Sequence, residues 1–454
     1  MDYAASSSTS KICPRVEDLP SIVVSEILAY LDWSEKHTAI CALPSWKPHL
    51  QASSAWPSVV YGNESEENVY FVREKRANFL VLLKKFGKYM KAIELCFGFP
   101  LVRSGQQILR AIAEHCAILK SFRFSPNENH ECRNVYDMVL TKSDIAETIS
   151  VLHSCKHLQT VGLISPCIVW TNPVQVETNM LLEISEAGVA HKITELHLTS
   201  SSVIDHEDYL TDVQRFTKLQ KLTVRREKMN NNILLKLVEN GLQEICFFQD
   251  EELALGDARQ MDEKFWVKVL KVNPHFKVDL ILQYILVIKD SFVPHMPLRS
   301  LVLDDLVNIV TKGVIDHLVS HYKNTLESFT YTNFYLENFE SGDSRLPAAL
   351  VSMVTNCKNI HTIRYGFPLS STTILLLVKT RKLHQLMIPS AEVSYEFDWS
   401  IQEEWDHDLV QWLKQNYRSV KLLEDAVSDQ LGFKWTLQDE SLSLEKSMGL
   451  YLNL

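Results

Sequence analysis

The sequence predicts an α/β fold in which short parallel strands alternate with helices, led by a small all-helical block. Three observations carry this expectation: a six-residue apolar template that recurs along the chain, helix-periodic stretches between its copies, and an apolar block close to the start.

The template is L-x-x-L-x-L, with any large apolar residue at the three fixed positions. It appears as "MKAIEL" from Met90, "LKSFRF" from Leu119, "LQTVGL" from Leu158, "ITELHL" from Ile193, "LQKLTV" from Leu219 and "LQEICF" from Leu242. It returns as "LRSLVL" from Leu298, "LESFTY" from Leu326, "IHTIRY" from Ile360 and "LHQLMI" from Leu383. Intervals run mostly from 23 to 39 residues, and one gap of 56 around "FKVDLILQ" has room for a degenerate copy. One such hexamer means little in a chain that is 46% apolar, but ten at helix-plus-strand spacing are hard to obtain by chance. In a strand the fourth and sixth positions face inward while the third and fifth face out. Stretches such as "NNILLKLVEN" and "AALVSMVTNC" supply helices to pack behind the strands. Stacked units of this kind bury a continuous core that no single unit could bury. The expected architecture is an irregular leucine-rich-repeat solenoid, a curved parallel sheet with helices on the convex side. Cys116, Cys155 and Cys357 each stand three residues before a strand's first apolar position. A buried place at the helix-to-strand turn is expected for them, because free cysteine is among the most buried residue types.

Ahead of the array lies "LPSIVVSEILAYLDWSEKHTAICALPSW", Leu19 to Trp46. Val23, Ile27, Leu28 and Leu31 fall at helical offsets, and Pro20 suits a first turn, where a missing N–H costs nothing. Ala39, Ile40, Ala42, Leu43, Trp46 and then Trp56 form a second apolar cluster. A block of about forty residues is too small to bury a sufficient core unaided. Either it docks onto the rest of the chain or a partner covers it. The domain reading is a tail over 1–15, the helical block over 16–61, the array over 62–390 and a distinct segment over 391–454. That last segment opens with seven acids between Ala391 and Asp408 (Glu392, Glu396, Asp398, Glu403, Glu404, Asp406, Asp408), interleaved with Tyr395, Phe397, Trp399, Ile401 and Trp405. Terminal repeats need covers, so a cap on the last core layer is expected.

A formal charge of −10 disfavours nucleic acid as the main partner, since phosphate binding needs a basic field. Nine cysteines without a CxxC suit reduced thiols in the cytosol or nucleus. The opening "MDYAASSSTSK" lacks an apolar core, so no secretory signal is expected, and "VDLILQYILVIKD" is too short and interrupted for a membrane span. No phosphate loop, dinucleotide fingerprint, nucleophile elbow or His-Glu-x-x-His occurs. "NHECR", with His130, Glu131 and Cys132, has no second ligand pair at metal spacing and reads as a polar loop. Asp304-Asp305 and Glu403-Glu404 read as surface acids. No catalytic residue, metal or cofactor is expected.

The opening block resembles an F-box. That family begins with Leu-Pro, here Leu19-Pro20, followed by aliphatics at the places of Val23, Ile27, Leu28 and Leu31, and two tryptophans at those of Trp46 and Trp56. Departures are Ile22 in place of a polar residue, Lys36 in place of a leucine, Cys41 and Leu43, and Pro44 inside a region the family keeps helical, which predicts a kink. "DEKFWVKVL", "EVSYEFDW" and "LGFKW" with "DESL" resemble leucine-rich members of the F-box only family. The resemblance implies a non-catalytic subunit of a Skp–cullin ubiquitin ligase. Leu19, Pro20, Val23, Ile27, Leu28, Leu31, Trp46 and Trp56 would bind the Skp-type adaptor and, through it, the cullin scaffold. An unknown protein substrate would bind the outward strand positions Arg123, His197, Thr223, Arg225, Thr330 and Arg364, with the arginines suited to an acidic or phosphorylated peptide. The rival expectation is a scaffold whose opening block only caps the array.

Overall fold

The computed structural model describes residues 16, 19–62, 69–97, 103–126, 142–163, 180–198, 209–250, 261–283, 291–304, 310–332, 344–401 and 405–438. The tail over 1–15, "NHECR", Asp305 and Glu403-Glu404 lie outside the described residues. The chain is mixed α/β and divides into two compact units, Met1–Ile193 with Ser201–Asp205, and Thr194–Ser200 with His206–Leu454.

The first unit opens with helices α1 (Ser21–Tyr30) and α2 (Trp33–Ala42), followed by 3₁₀ segments Pro44–Gln51 and Ser53–Ala55. Strand and helix then alternate: β1 (Val59–Gly62), α3 (Val69–Phe86), β2 (Ala92–Phe97), α4 (Arg103–His115), β3 (Ser121–Pro126), α5 (Lys142–Ser154), β4 (Thr160–Leu163) and α6 (Met180–Glu186). β1 to β4 pair in chain order, all parallel. Each parallel pairing requires a crossover, which the intervening helix provides. Asp32 starts α2 with a capping box, accepting from the Ser34 and Glu35 amides at 2.6 and 2.7 Å while Glu35 Oε2 accepts from the Asp32 amide at 2.8 Å. Pro44 opens the 3₁₀ segment instead of kinking a longer helix, because it has no N–H to continue one.

The second unit holds β5 (Glu195–Leu198), β6 (Lys221–Arg225), α7 (Asn231–Glu239), β7 (Glu244–Asp250), α8 (Glu263–Val272), β8 (Lys277–Gln283), β9 (Leu298–Asp304), α9 (Lys312–Tyr322), β10 (Ser328–Thr332), α10 (Leu346–Asn356) and β11 (Thr362–Tyr365). It closes with β12 (Leu369–Ser370), α11 (Ser371–Thr380), β13 (Gln385–Met387), β14 (Val393–Ser394), α12 (His407–Asn416) and α13 (Val420–Leu431). β5 to β11, with β13 as the last member, form one parallel sheet in chain order, and β12 pairs β14 apart from it.

All ten template copies land on strands of these sheets. Leu198, Val224, Phe247, Leu280, Leu301, Phe329, Ile363 and Leu386 are register partners across the second unit, and none is more than 3% exposed. Backbone bonds between successive turns tie the copies together. Gln243 N donates to Gln220 O at 2.8 Å, Lys277 N to Gln243 O at 3.0 Å, His361 N to Glu327 O at 2.9 Å and His384 N to His361 O at 2.8 Å.

Two strands escaped the template. β8 fills the long gap, but Phe276 precedes its first inward residue, Val278, by two positions instead of three, and the pairing with β9 shifts between Val278 and Asp279. β1 follows the template as Trp56-x-x-Val59-x-Tyr61, with all three residues at most 2% exposed. Lys91 N donates to Trp56 O at 3.3 Å, just as Lys120 N donates to Lys91 O at 2.7 Å one turn later. Trp56 is therefore the first apolar position of the first unit's opening repeat.

The three in-register cysteines are fully buried at the helix-to-strand turns. Cys155 Sγ donates to Cys116 O at 3.3 Å, and burial pushes the Cys155 thiol up to about 11. Asn273 takes the equivalent place before β8, its Nδ2 donating to Leu242 O at 3.3 Å. These side chains stitch turn to turn.

The 391–438 region packs over the end of the second unit. From Ser371 to Val378 every residue of α11 is buried. Ser371 Oγ donates to Tyr417 O at 2.7 Å, Thr372 Oγ1 to Glu396 O at 3.0 Å, and Trp399 Nε1 to Thr373 Oγ1 at 2.8 Å. Val393, Tyr395, Phe397 and Trp399 are half-buried while Ser394, Glu396, Asp398 and Ser400 are exposed. The aromatic–acidic alternation is thus an extended segment with one packed face and one solvated face.

Candidate protein-interaction surfaces

α1 divides into three stripes at i, i+4 spacing. Val24 and Leu28 are buried, Val23, Ile27 and Leu31 are half-buried, and Ile22 and Tyr30 are 69% and 92% exposed. Leu19 is half-buried and Pro20 exposed. The inner stripe faces the chain's own 3₁₀ segments, Pro44–Gln51 and Ser53–Ala55, while α2 packs on the aromatic cluster of the first repeat. Trp33 of α2 lies 6.2 Å from Tyr61 of β1 and 5.4 Å from Phe79 of α3, and Tyr61 stacks on Phe79 at 4.4 Å. The block thus covers the first repeat with one face and leaves Ile22 and Tyr30 open on α1, with the exposed carboxylate Glu26 between them on the same stripe.

This sorts the eight expected adaptor contacts. Leu19, Pro20, Val23, Ile27 and Leu31 keep accessible surface. Leu28, Trp46 and Trp56 do not: they are 0%, 6% and 0% exposed. Trp56 donates from Nε1 to Leu50 O at 2.7 Å and stacks on Phe86 at 5.4 Å, so both of its surfaces are engaged within the first unit. Ile22 and Tyr30 are the members of the open stripe that sequence reading missed. The available signal was the excess of apolar residues on α1, too many for the single stripe that an inward-facing helix needs.

Lys36 sits under this block, 1% exposed, its ammonium donating to the Leu31 carbonyl and lying 5.2 Å from the centre of the Trp56 ring. Burial lowers its pKa from the ordinary lysine value, against the opposing pull of Asp32 and Glu35. With the folded pKa below 10.5, the unfolded chain binds more protons in the interval between the two values. The stability cost of this lysine therefore shrinks as pH rises toward 10.5. Denaturant melts should show the intact chain gaining on Lys36→Met over that alkaline interval; parallel curves would contradict the buried charge.

The six outward strand positions are not open to solvent, none being more than 8% exposed. Cross-strand neighbours explain why. A Cβ on Gly162 of β4 would fall 2.9 Å from Arg123 Cγ, so the arginine stem lies over that glycine. His197 Nδ1 is 2.8 Å from Thr223 Oγ1. Arg225 pairs with Glu227 at 2.6 Å and lies 5.8 Å from the Phe248 ring, and Arg364 Nη2 donates to Gln385 Oε1 at 3.0 Å. Thr330 is fully buried between Val302 and Arg364. Arg225 and Arg364 stand five strands apart in register, roughly 24 Å at 4.8 Å per strand. They cannot grip one phosphate, and Arg123 belongs to the other unit.

Among the described residues no group of three or more His, Cys, Asp or Glu side chains could hold a metal ion, and no helix is long and apolar enough to cross a membrane. No protein-family model and no curated protein sequence matches the chain. Among solved structures, the leucine-rich repeat-containing protein LegL7 from Legionella pneumophila aligns over 83% of this chain and 98% of its own, at 9% identity and a TM-score of 0.38. A family 2 AP endonuclease from Brucella melitensis aligns over 68% of this chain and 91% of its own, at 10% identity and a TM-score of 0.19. Both superpositions are too loose to carry an activity to this chain.

Proposed function

We propose that the chain is a substrate-recognition subunit of a Skp–cullin–F-box ubiquitin ligase, with α1 and α2 forming the F-box that binds a Skp-type adaptor and an irregular leucine-rich array binding the protein to be ubiquitinated. The observation that carries the reading is the pair of large apolar side chains, Ile22 and Tyr30, exposed either side of Glu26 on a helix whose opposite side is already buried. Burying one large apolar side chain is worth about 1.5–3 kcal/mol, so a few central anchors can hold an interface. Such a subunit works by proximity, raising the effective concentration of a substrate lysine near a charged carrier enzyme, and needs no catalytic residue. In this reading the six buried strand residues shape the array instead of offering an open surface to substrate.

The packing of Trp33 on Tyr61 and Phe79 favours a second reading, a scaffold whose opening block only caps the array. Co-purification with a purified Skp-type adaptor separates the two. The intact chain should bind, and Ile22→Glu with Tyr30→Glu, both at exposed positions, should weaken binding at least about tenfold with an unchanged melting temperature. An intact chain that fails to bind, or a variant that binds equally well, would overturn the ligase reading.

A further inference from the structure

The second unit carries an edge whose charge runs against that of the whole chain. Its helix ends and helix-to-strand turns expose Arg215 and Lys218 before β6, Lys271 and His275 before β8, Lys323 before β10, Lys358 before β11, and Lys382 and His384 before β13. Three of these turns are in direct backbone contact. Lys358 N donates to Lys323 O at 2.9 Å, Asn359 Nδ2 donates to Asn324 O at 2.7 Å, and Arg381 of the next turn donates to Lys358 O. Lys323, Lys358 and Lys382 therefore stand in a column on neighbouring turns, at about the 4.8 Å strand spacing.

The acids along this edge do not neutralise the column. Asp212 is taken by Arg215 at 3.0 Å, Glu244 by Lys221 and Arg299 at 3.5 and 3.2 Å, and Glu327 by Lys277 and His361 at 3.7 and 3.9 Å. Glu239 and, on the last turn of α13, Asp429 are exposed acids near the edge among the described residues, and no ion pair is made there by Lys323, Lys358 or Lys382. Helix C-termini favour a nearby cation, but that end carries only about half a charge and its influence fades within one turn. The last turn of α11 and the connection after it hold Lys379, Arg381, Lys382 and His384. A row of like charges on adjacent turns is self-repelling until something anionic lies along it.

We propose that this edge is a docking surface for an acidic polypeptide segment. A nucleic acid fits less well, because the chain as a whole is at −10 and binding successive bases needs a series of exposed rings. Near the column the described residues offer one well-exposed apolar ring, Phe433, 43% exposed and next in sequence to Gly432, whose Cβ position is 3.3 Å from Lys382 Nζ, while Trp412 is half-buried with its ring centre 5.1 Å from Lys379 Nζ. The Phe433 ring provides one apolar contact beside the cations. The proposal stands apart from the adaptor reading, which concerns α1.

The test is fluorescence anisotropy of a short labelled polyglutamate peptide with the full chain. The intact chain should bind in a salt-sensitive manner. Lys323→Glu with Lys358→Glu and Lys382→Glu should lower the affinity at least about tenfold. A control with the same change in net charge elsewhere, Lys84→Glu with Lys85→Glu and Lys88→Glu, should leave it within about twofold. All three control residues are exposed, as are the three column lysines, so both variants should melt with the intact chain. No binding by the intact chain, equal loss in the two triple variants, or tighter binding of a single-stranded oligonucleotide of equal charge would overturn the proposal.

Discussion

Trp56→Ala is expected to destabilise the first unit by about 3–5 kcal/mol, the range for truncating a buried tryptophan. The indole is fully buried, its N–H satisfies the Leu50 carbonyl, its face stacks on Phe86, and the Lys36 ammonium lies over it. Removal leaves a large cavity at the first repeat position, an orphaned carbonyl and a buried lysine without its ring. Because whole domains are stable by only about 5–15 kcal/mol, hydrogen exchange in β1 and the denaturant midpoint should both move strongly. Were Trp56 instead an anchor for a partner, stability of the isolated chain would be untouched while adaptor binding collapsed. The same comparison at Trp46, which is 6% exposed, should place it with Trp56.

Trp435→Ala is the second substitution with a large expected effect, again about 3–5 kcal/mol for a buried indole, here localised to the end of the second unit. α13 stops at Gly432, whose φ of 80° is the left-handed conformation that glycine reaches at little cost. The chain then returns along the last strand. Trp435 Nε1 donates to Leu386 O at 2.7 Å, Trp435 N to Ser428 Oγ at 2.9 Å, Gln438 N to Ile388 O at 3.0 Å and Ser390 N to Gln438 O at 2.7 Å. The residues around Gln438 thus cover the open edge of β13, which an array must protect. Faster hydrogen exchange in β13 and α13, with β6 to β8 unaffected, is the expected result. Uniform change across the unit would mean that Trp435 holds the whole sheet and not its end.

Much of the fold was legible because a buried strand face needs an apolar residue at every second position, and that need recurs with each copy. Where the pattern failed, geometry explains the failure. β8 has one residue fewer between Phe276 and its first inward position, Val278, and the first apolar position of β1, Trp56, was assigned to the helical block instead of to a strand. β12 and β14, at two residues each, are too short for any periodic signal. The candidate surface was legible only in part. Periodicity identified α1 as amphipathic, but apolar identity alone cannot say which stripe faces the chain and which faces outward. Leu28 and Val23 look equivalent in sequence and part company only when the 3₁₀ segments Pro44–Gln51 and Ser53–Ala55 pack against α1. Outward strand positions misled for a related reason. A residue that leaves the core face of a parallel sheet still has two neighbouring strands within about 5 Å, and His197 with Thr223, or Arg364 with Gln385, satisfy each other there.

The central claim is that one face of α1 serves this chain and the other serves a partner. Hydrogen exchange of the full chain, with and without an excess of purified Skp-type adaptor, tests it most directly. Slowed exchange confined to Ser21–Tyr30 and the turn at Leu31, with β1 and the Trp46–Trp56 stretch unchanged, is the predicted result. An exchange pattern in which α1 is unaffected by the adaptor, or in which protection appears at Trp46 and Trp56 instead, would contradict it.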